Sequence, residues 1–486
     1  MSDINSFSRD PQNQPDLTGN YSAGEPKSTV KNFNFIRRKI FKPNNILIAL
    51  ALLCVFVLLG HLLESGFFAA MCLFAGIVLM PVFSRELRQD QNILLGYWFV
   101  IFLHQIIAFT NAYLFTTYGA EFDAGHFQKL GEEFALYGDK WSLAIGAEFY
   151  AQMLGQIYSW FGASYLLGEQ LSILAFAFSC IILLKIIRLL GIVKYKIYSL
   201  LAFGTLPTML FLGSITLRES YQVLFFMSAV FFGLKMHIKG GVNTYILAFA
   251  LSVFFMCILH RGLIGYGMFI VLLFLIWSIK PTSRLRHVKK FRLAVLIIGP
   301  IVFLGIATLL EGTRTYTNYA VLISSNWLDE VSNVRIGPVL TPGRTTYGIP
   351  FDPSSYMMAI YSGLRIYLHY LFAPFPWQVN GFLDAYAALE SSVRMILIYF
   401  SLKYWCNSVG SQKRLLSLML ILYVSITFLF SIGTANYGTA MRHHMLSWWI
   451  IVIIGIPSLL EKLSCVRFGR LTLRRKQLLK SPDGIL

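Results

Sequence analysis

Apolar runs of roughly 20 residues recur along this chain, from "NILIALALLCVFVLLGHLL" at 45–63 to "HMLSWWIIVIIGIPSLL" at 444–460. Runs of that length cross a hydrocarbon core about 30 Å thick. Lipid offers the backbone no hydrogen-bond partner, so each run has to close its own N–H and C=O groups as a helix. Only 13% of the 486 residues are charged and 56% are hydrophobic, whereas a soluble domain carries about 25% charge. The expected fold class is all-α: a polytopic integral membrane helical bundle of about 12 transmembrane helices with interfacial helices on its outer face.

The expected spans lie at roughly 45–63, 66–84, 92–116, 166–187, 197–216, 221–236, 242–259, 263–279, 293–310, 386–403, 415–433 and 444–460. They divide the chain into a polar, disordered, basic-ended tail over 1–44, a transmembrane domain over 45–461 and a basic tail over 462–486. With the N-terminus inside, 31 of the 41 Lys and Arg fall on the cytoplasmic side, against 8 of the 23 acidic residues. Positive-inside bias therefore sets both termini cytoplasmic, with outer loops at about 117–165 and 311–385. It also accounts for the +18 net charge, through attraction to anionic lipids and not through nucleic acid. The first apolar run starts too late for a cleavable signal peptide. A bacterial plasma (inner) membrane suits this sidedness. All six cysteines fall in spans or on the cytoplasmic side, so no disulfide framework is expected.

With this orientation the polar groups gather outside. Arg218 and Glu219 stand in "GSITLRES", His260 and Arg261 in "CILHRG", Arg365 and His369 in "SGLRIYLHY", Glu390 and Arg394 in "ALESSVRM", and Arg442, His443 and His444 in "GTAMRHH". Charges at bilayer depth are costly and mark cavities or pathways, although a single arginine can equally snorkel to headgroups. Four of them at helix ends, Arg218, Arg261, Arg394 and Arg442, predict one shared cavity. A planar guanidinium fork suits phosphate oxygens, so such a cavity could hold an anionic lipid headgroup such as a polyprenyl phosphate. His443 and His444 point about 100° apart on a helix, so one of them at most faces the same cavity as Arg442.

Asp123 in "EFDAGHF" is the best-placed catalytic carboxylate, able to take a proton from a sugar hydroxyl within hydrogen-bond reach. His126 would share its face. The competing reading makes Asp123 the N-cap of a short helix through "FQKLGEEFALYG". Downstream, Ile145, Phe149, Met153, Ile157 and Trp160 line one face of a helix expected to lie in the outer interface. The segment "YMMAIYSGLRIYLHYLFAPFPWQ" is expected to be interfacial or re-entrant, broken at Pro374 and Pro376. No GxxxxGK[ST], HExxH, GxSxG or dinucleotide fingerprint is present, and the cytoplasmic loops are too short for a nucleotide-binding domain. No metal site and no cofactor are expected, a divalent cation being left open.

The stretch from Asp123 to about Leu174, "DAGHFQKLGEEFALYG…GAEFYAQMLGQIYSWFGASYLLGEQLSIL", resembles the first outer loop and juxtamembrane helices of GT-C type membrane glycosyltransferases, departing from them in its single Asp. The late outer loop with Arg314, Arg335 and Arg344, and the terminal "NYGTAMRHH", are similar in kind to O-antigen and exopolysaccharide polymerases. Both resemblances imply glycosyl transfer from a polyprenyl-linked sugar or oligosaccharide; joined to the residue reading, this expects Asp123 and His126 to be catalytic and Arg218, Glu219, His260, Arg261, Arg365, Arg394, Arg442 and His443 to lie around the phosphate. The non-enzyme alternative is a transporter or lipid-linked oligosaccharide flippase.

Overall fold

The computed structural model describes residues 60, 64–138, 144–239, 243–277, 328–329, 331–333, 335 and 345–478. The expected spans at 45–63 and 293–310, and Arg314 and Arg344, lie outside them. Fourteen helices carry the argument: α1 (Phe67–Phe83), α2 (Gln91–Tyr113), α3 (Gly125–Tyr137), α4 (Ala147–Phe161), α5 (Tyr165–Leu189), α6 (Lys196–Thr205), α7 (Pro207–Leu212), α8 (Glu219–Lys239), α9 (Asn243–Leu259), α10 (Leu263–Ile276), α11 (Tyr356–Phe372), α12 (Phe382–Asn407), α13 (Gly410–Gly433) and α14 (Tyr437–Leu478). Among the described residues there is no strand, only an isolated antiparallel bridge between Thr346 and Asn436.

Among the described residues six helices are long and apolar enough to cross a bilayer: α2, α5, Glu219–Ile238 of α8, Asp384–Asn407 of α12, α13, and Tyr437–Ser464 of α14. Helices α1, α9 and α10 are apolar but shorter. The expected span at 197–216 is divided, because Pro207 forces Leu206 out of helical geometry and then opens a new helix at its own N1 position. Trp98, Phe99, Phe102 and Ile106 project from α2, and Leu247, Leu251 and Phe254 from α9, each about half exposed. A water-facing surface would be polar there, so these faces meet lipid and the chain is a membrane-embedded helical bundle.

Helix α14 is enclosed over its middle, with Met445, Leu446 and Trp448 through Ile454 buried. In lipid, helices associate through close packing more than through apolar burial, and two glycines set the approach. A Cβ on Gly455 of α14 would stand 2.7 Å from the Leu397 carbonyl of α12, and one on Gly168 of α5 2.5 Å from the Tyr158 hydroxyl of α4. Gly455→Ala would wedge α12 from α14. The tail expected from 462 instead continues α14 without a break to Leu478.

Between α2 and α5 the chain folds α3 against α4. The face of α4 that packs inward carries Tyr150, Leu154 and Tyr158, while the expected apolar face is left part-covered at Phe149, Met153 and Ile157 and exposed at Trp160. Helix α11 ends at Phe372, one residue before the cis Ala373–Pro374 bond, so the break falls at the first of the two expected prolines.

Candidate functional site

Asp123 lies in a π-helical turn, Ala120–Ala124, that runs directly into α3. The turn is set up by Thr117, whose N–H and hydroxyl both donate to the Asn111 side-chain oxygen of α2, at 2.8 and 3.1 Å. Gly119 then takes a φ of +84°, and a Cβ there would sit 2.4 Å from Leu212 of α7; only glycine meets both conditions. π-Helical turns recur at functional sites. The N-terminus of α3 has no side-chain cap, so the Asp123 carboxylate is not engaged as a cap. It accepts instead from Nη1 of Arg442, more than three hundred residues away on α14.

Arg442 falls in the second turn of α14, which begins at Tyr437, earlier than the expected start at 444. Its Nε donates at 2.6 Å to Oε1 of Glu219, and Nη2 lies 2.6 Å from the same oxygen in an ion pair. Glu219 is the first residue of α8 and is 2% exposed. A carboxylate there is favoured by the helix N-terminus, but so deeply buried it also needs a cation partner. Arg218 supplies a second, its Nε 3.7 Å from the same oxygen, while its Nη1 donates to the Leu259 carbonyl at 3.3 Å. The core is therefore two arginines and two carboxylates, balanced in charge. One carboxylate is inaccessible, and the other, Asp123, is 55% exposed.

Around this core stand the ends of α9, α10 and α13. Arg261 donates to the Ile145 carbonyl at 3.1 Å and lies 3.8 Å from Glu148 of α4. Arg218 and Arg261 flank Gly146, whose φ of +86° is one that glycine adopts without strain. The rings of His260 and His443 lie 6.1 Å apart against Phe430, and Nδ1 of His443 shares a 2.9 Å hydrogen bond with the Thr434 hydroxyl. Burial first, then the Arg218 guanidinium, hold His260 down at about 4, so it is neutral at pH 7.

Of the residues singled out from sequence, the structure brings together Asp123, Arg218, Glu219 and Arg442, with His260, Arg261 and His443 beside them. It does not bring in His126, Arg365 or Arg394. His126 is exposed on the first turn of α3, its ring 6.3 Å from that of Phe127, and takes no part in the Asp123–Arg442–Glu219 bonding. Arg365 is exposed on α11. Arg394 is not at a helix end: it is buried near the middle of α12, 3.6 Å from Glu390. Glu390 accepts from the Thr208 N–H at 3.0 Å, from the Thr208 hydroxyl and from Trp448 Nε1 at 3.0 Å. Arg394 donates to the Leu371 carbonyl at 2.6 Å and lies over the Trp448 ring. The shared cavity expected for four arginines thus fails for Arg394, because Glu390 one turn earlier captures it; the four-residue spacing in "ALESSVRM" was the available signal. His444 faces away from the cluster, its Nε2 hydrogen-bonded with the Tyr370 carbonyl at 2.9 Å.

Arg335, expected only as one of three arginines in the late outer loop, has a structural role. Its Nη1 donates at 3.1 Å to the carbonyls of Ser431, Ile432 and Thr434 at the end of α13, and its Nε to that of Ile349. Among the described residues no group of His, Cys, Asp and Glu is arranged to hold a metal. No family model, no curated protein and no solved structure matches this chain.

Proposed function

We propose that the chain is a membrane glycosyltransferase. It moves a sugar or oligosaccharide from a polyprenyl-phosphate or -diphosphate carrier to a glycan or lipid-linked acceptor at the extracytoplasmic face of a bacterial plasma membrane, in cell-surface polysaccharide synthesis. The observation that supports this reading best is the meeting, at one end of the bundle, of an accessible carboxylate (Asp123) with two arginines (Arg442 and Arg218) anchored on a buried Glu219. The split of basic residues, 31 of 41 on one side, supports assigning that end to the outside.

In this chemistry Asp123 takes the proton of the attacking hydroxyl, whose oxygen bonds to the anomeric carbon. The bond from that carbon to the carrier phosphate breaks, and its electron pair leaves with the phosphate. Arg442 and Arg218 receive the charge as it develops; cations held in place by Glu219 need no reorganisation at that moment. His260, neutral and unable to compete as a cation, and the His443 ring beside it shape the adjoining wall. Deletion of the gene, followed by analysis of surface glycans and lipid-linked intermediates, tests the class. Accumulated lipid-linked repeat units with single-unit surface chains mark a polymerase. Loss of one sugar from an otherwise intact glycan marks a single-sugar transferase. Unchanged glycans and intermediates refute both.

A second reading, a transporter or flippase, is favoured by one observation. The discontinuous pair α6–α7 presents the first turn of α7 to Glu390 inside the bundle, as broken helices do at transport sites. Transport of a lipid-linked glycan into vesicles, with no new glycosidic bond formed, would select it.

A further inference from the structure

Arg442 is satisfied unequally on its two sides. Nε and Nη2 are committed to Glu219, which is 2% exposed. Nη1 is committed to Asp123, whose side chain is 55% exposed and stands on a one-turn π segment. The accessible corner of the guanidinium is thus occupied by the carboxylate that the proposed chemistry needs as a base. While it is held by Nη1, that carboxylate is turned to Arg442 and not to an acceptor hydroxyl. An incoming phosphate oxygen seeks the same Nη1 donor.

We infer that the anionic headgroup of the carrier and Asp123 compete for Nη1 of Arg442, so that docking of the phosphate expels Asp123 and frees it as the base. The inference rests on the glycosyl-transfer reading and adds a coupling to it. Without the donor the base is masked and water is not activated. With the donor seated, Arg442 holds the leaving group while Asp123 turns to the acceptor hydroxyl. At Nη1 one anionic oxygen replaces another, while Glu219 keeps the guanidinium in place throughout. The asymmetry in burial selects which carboxylate yields: Glu219 has no route to solvent, and Asp123 has one.

The test measures binding of farnesyl phosphate to the purified full-length protein in detergent, with farnesol as the uncharged control. Asp123→Asn removes the competitor and leaves Arg442 in place, so it should bind farnesyl phosphate about fivefold tighter than wild type, the worth of a half-exposed ion pair. Glu133→Gln removes one exposed negative charge from the same helix α3 and should change binding by less than about twofold, which separates competition from a general gain of positive charge. The gain should vanish when Asp123→Asn is combined with Arg442→Gln. Asp123→Ser provides the same removal should the Asn variant fold poorly. If wild type binds farnesyl phosphate and Asp123→Asn binds it no better than Glu133→Gln does, the competition is wrong while the anion site stands. If neither wild type nor any variant prefers farnesyl phosphate over farnesol, the anion site and the glycosyl-transfer reading fall together.

Discussion

Arg394→Met isolates the ion pair that holds the middle of the bundle. In the native protein Arg394 lies 3.6 Å from Glu390, with both side chains at most 2% exposed. At an effective dielectric of about 20 that pair is worth about 5 kcal/mol. The Leu371 carbonyl and the Trp448 face add one charged hydrogen bond and one cation–π contact, about 2 kcal/mol each when desolvated. Against this stands the several kcal/mol of desolvation that Arg394 no longer suffers once removed. The expected net loss is about 3–5 kcal/mol, because Glu390 is left buried with only Thr208 and Trp448. In the double variant Glu390→Gln, Arg394→Met no charge is buried, and most of that loss should be recovered. The assay is reversible unfolding in mixed micelles, read as a double-mutant cycle. A single-variant loss below about 1 kcal/mol, or a double variant no more stable than Arg394→Met, would refute the pairing. Because Arg394 sits apart from Asp123 and Arg442, the double variant should also retain transfer activity.

Asp123→Asn should abolish transfer while shifting the melting temperature by less than about 2 °C, since a half-exposed ion pair contributes at most about 1 kcal/mol; full activity in this variant would remove Asp123 from the mechanism. His260, neutral in the folded protein down to about 4 against about 6.5 when unfolded, makes the unfolded state the better proton binder between those values. Stability should therefore be fully present above about pH 6.5 and fall by about 2–3 kcal/mol as pH drops toward 4; unfolding curves of His260→Gln should show a shallower slope in that window, and an unchanged slope would count against a buried neutral His260. Arg335→Ala strips donors from four carbonyls and should raise hydrogen exchange at the junction of α13 and α14 at least tenfold, with unchanged exchange refuting the clamp. Single cysteines at Ser325 and Ser411 should be labelled from outside and only after permeabilisation, respectively; outside access at Ser411 would overturn the orientation.

The helices themselves were legible because apolar length is a local property: α2, α5, α8, α12 and α13 begin or end within a few residues of the runs that announce them. Pro207 carries a readable signal as well, since a proline in an apolar run still removes one hydrogen bond and clashes with the preceding turn. Partners were harder. Asp123 has a local alternative as a cap, and nothing within its own segment indicates that Arg442, |i−j| = 319 away, will bind it instead. Arg394 looked like the other arginines because composition and sidedness do not distinguish an inward-facing position on α12 from an end. Arg335 acts through backbone carbonyls, which every residue possesses, and so leaves no side-chain signature in its partners.

Helix α14 runs 42 residues from Tyr437 to Leu478 with Pro457 inside it, a rod of about 63 Å, twice the thickness of a hydrocarbon core. Arg442 stands about 22 Å from the proline, where a missing hydrogen bond leaves the helix free to change its bend. The rod is then a lever with its fulcrum near mid-length. A 5° change at Pro457 swings the guanidinium through about 2 Å, more than the tolerance of a hydrogen bond, while the basic stretch beyond Leu463 moves on the opposite arm. Whatever grips that stretch has a mechanical hold on the contact between Arg442 and Asp123.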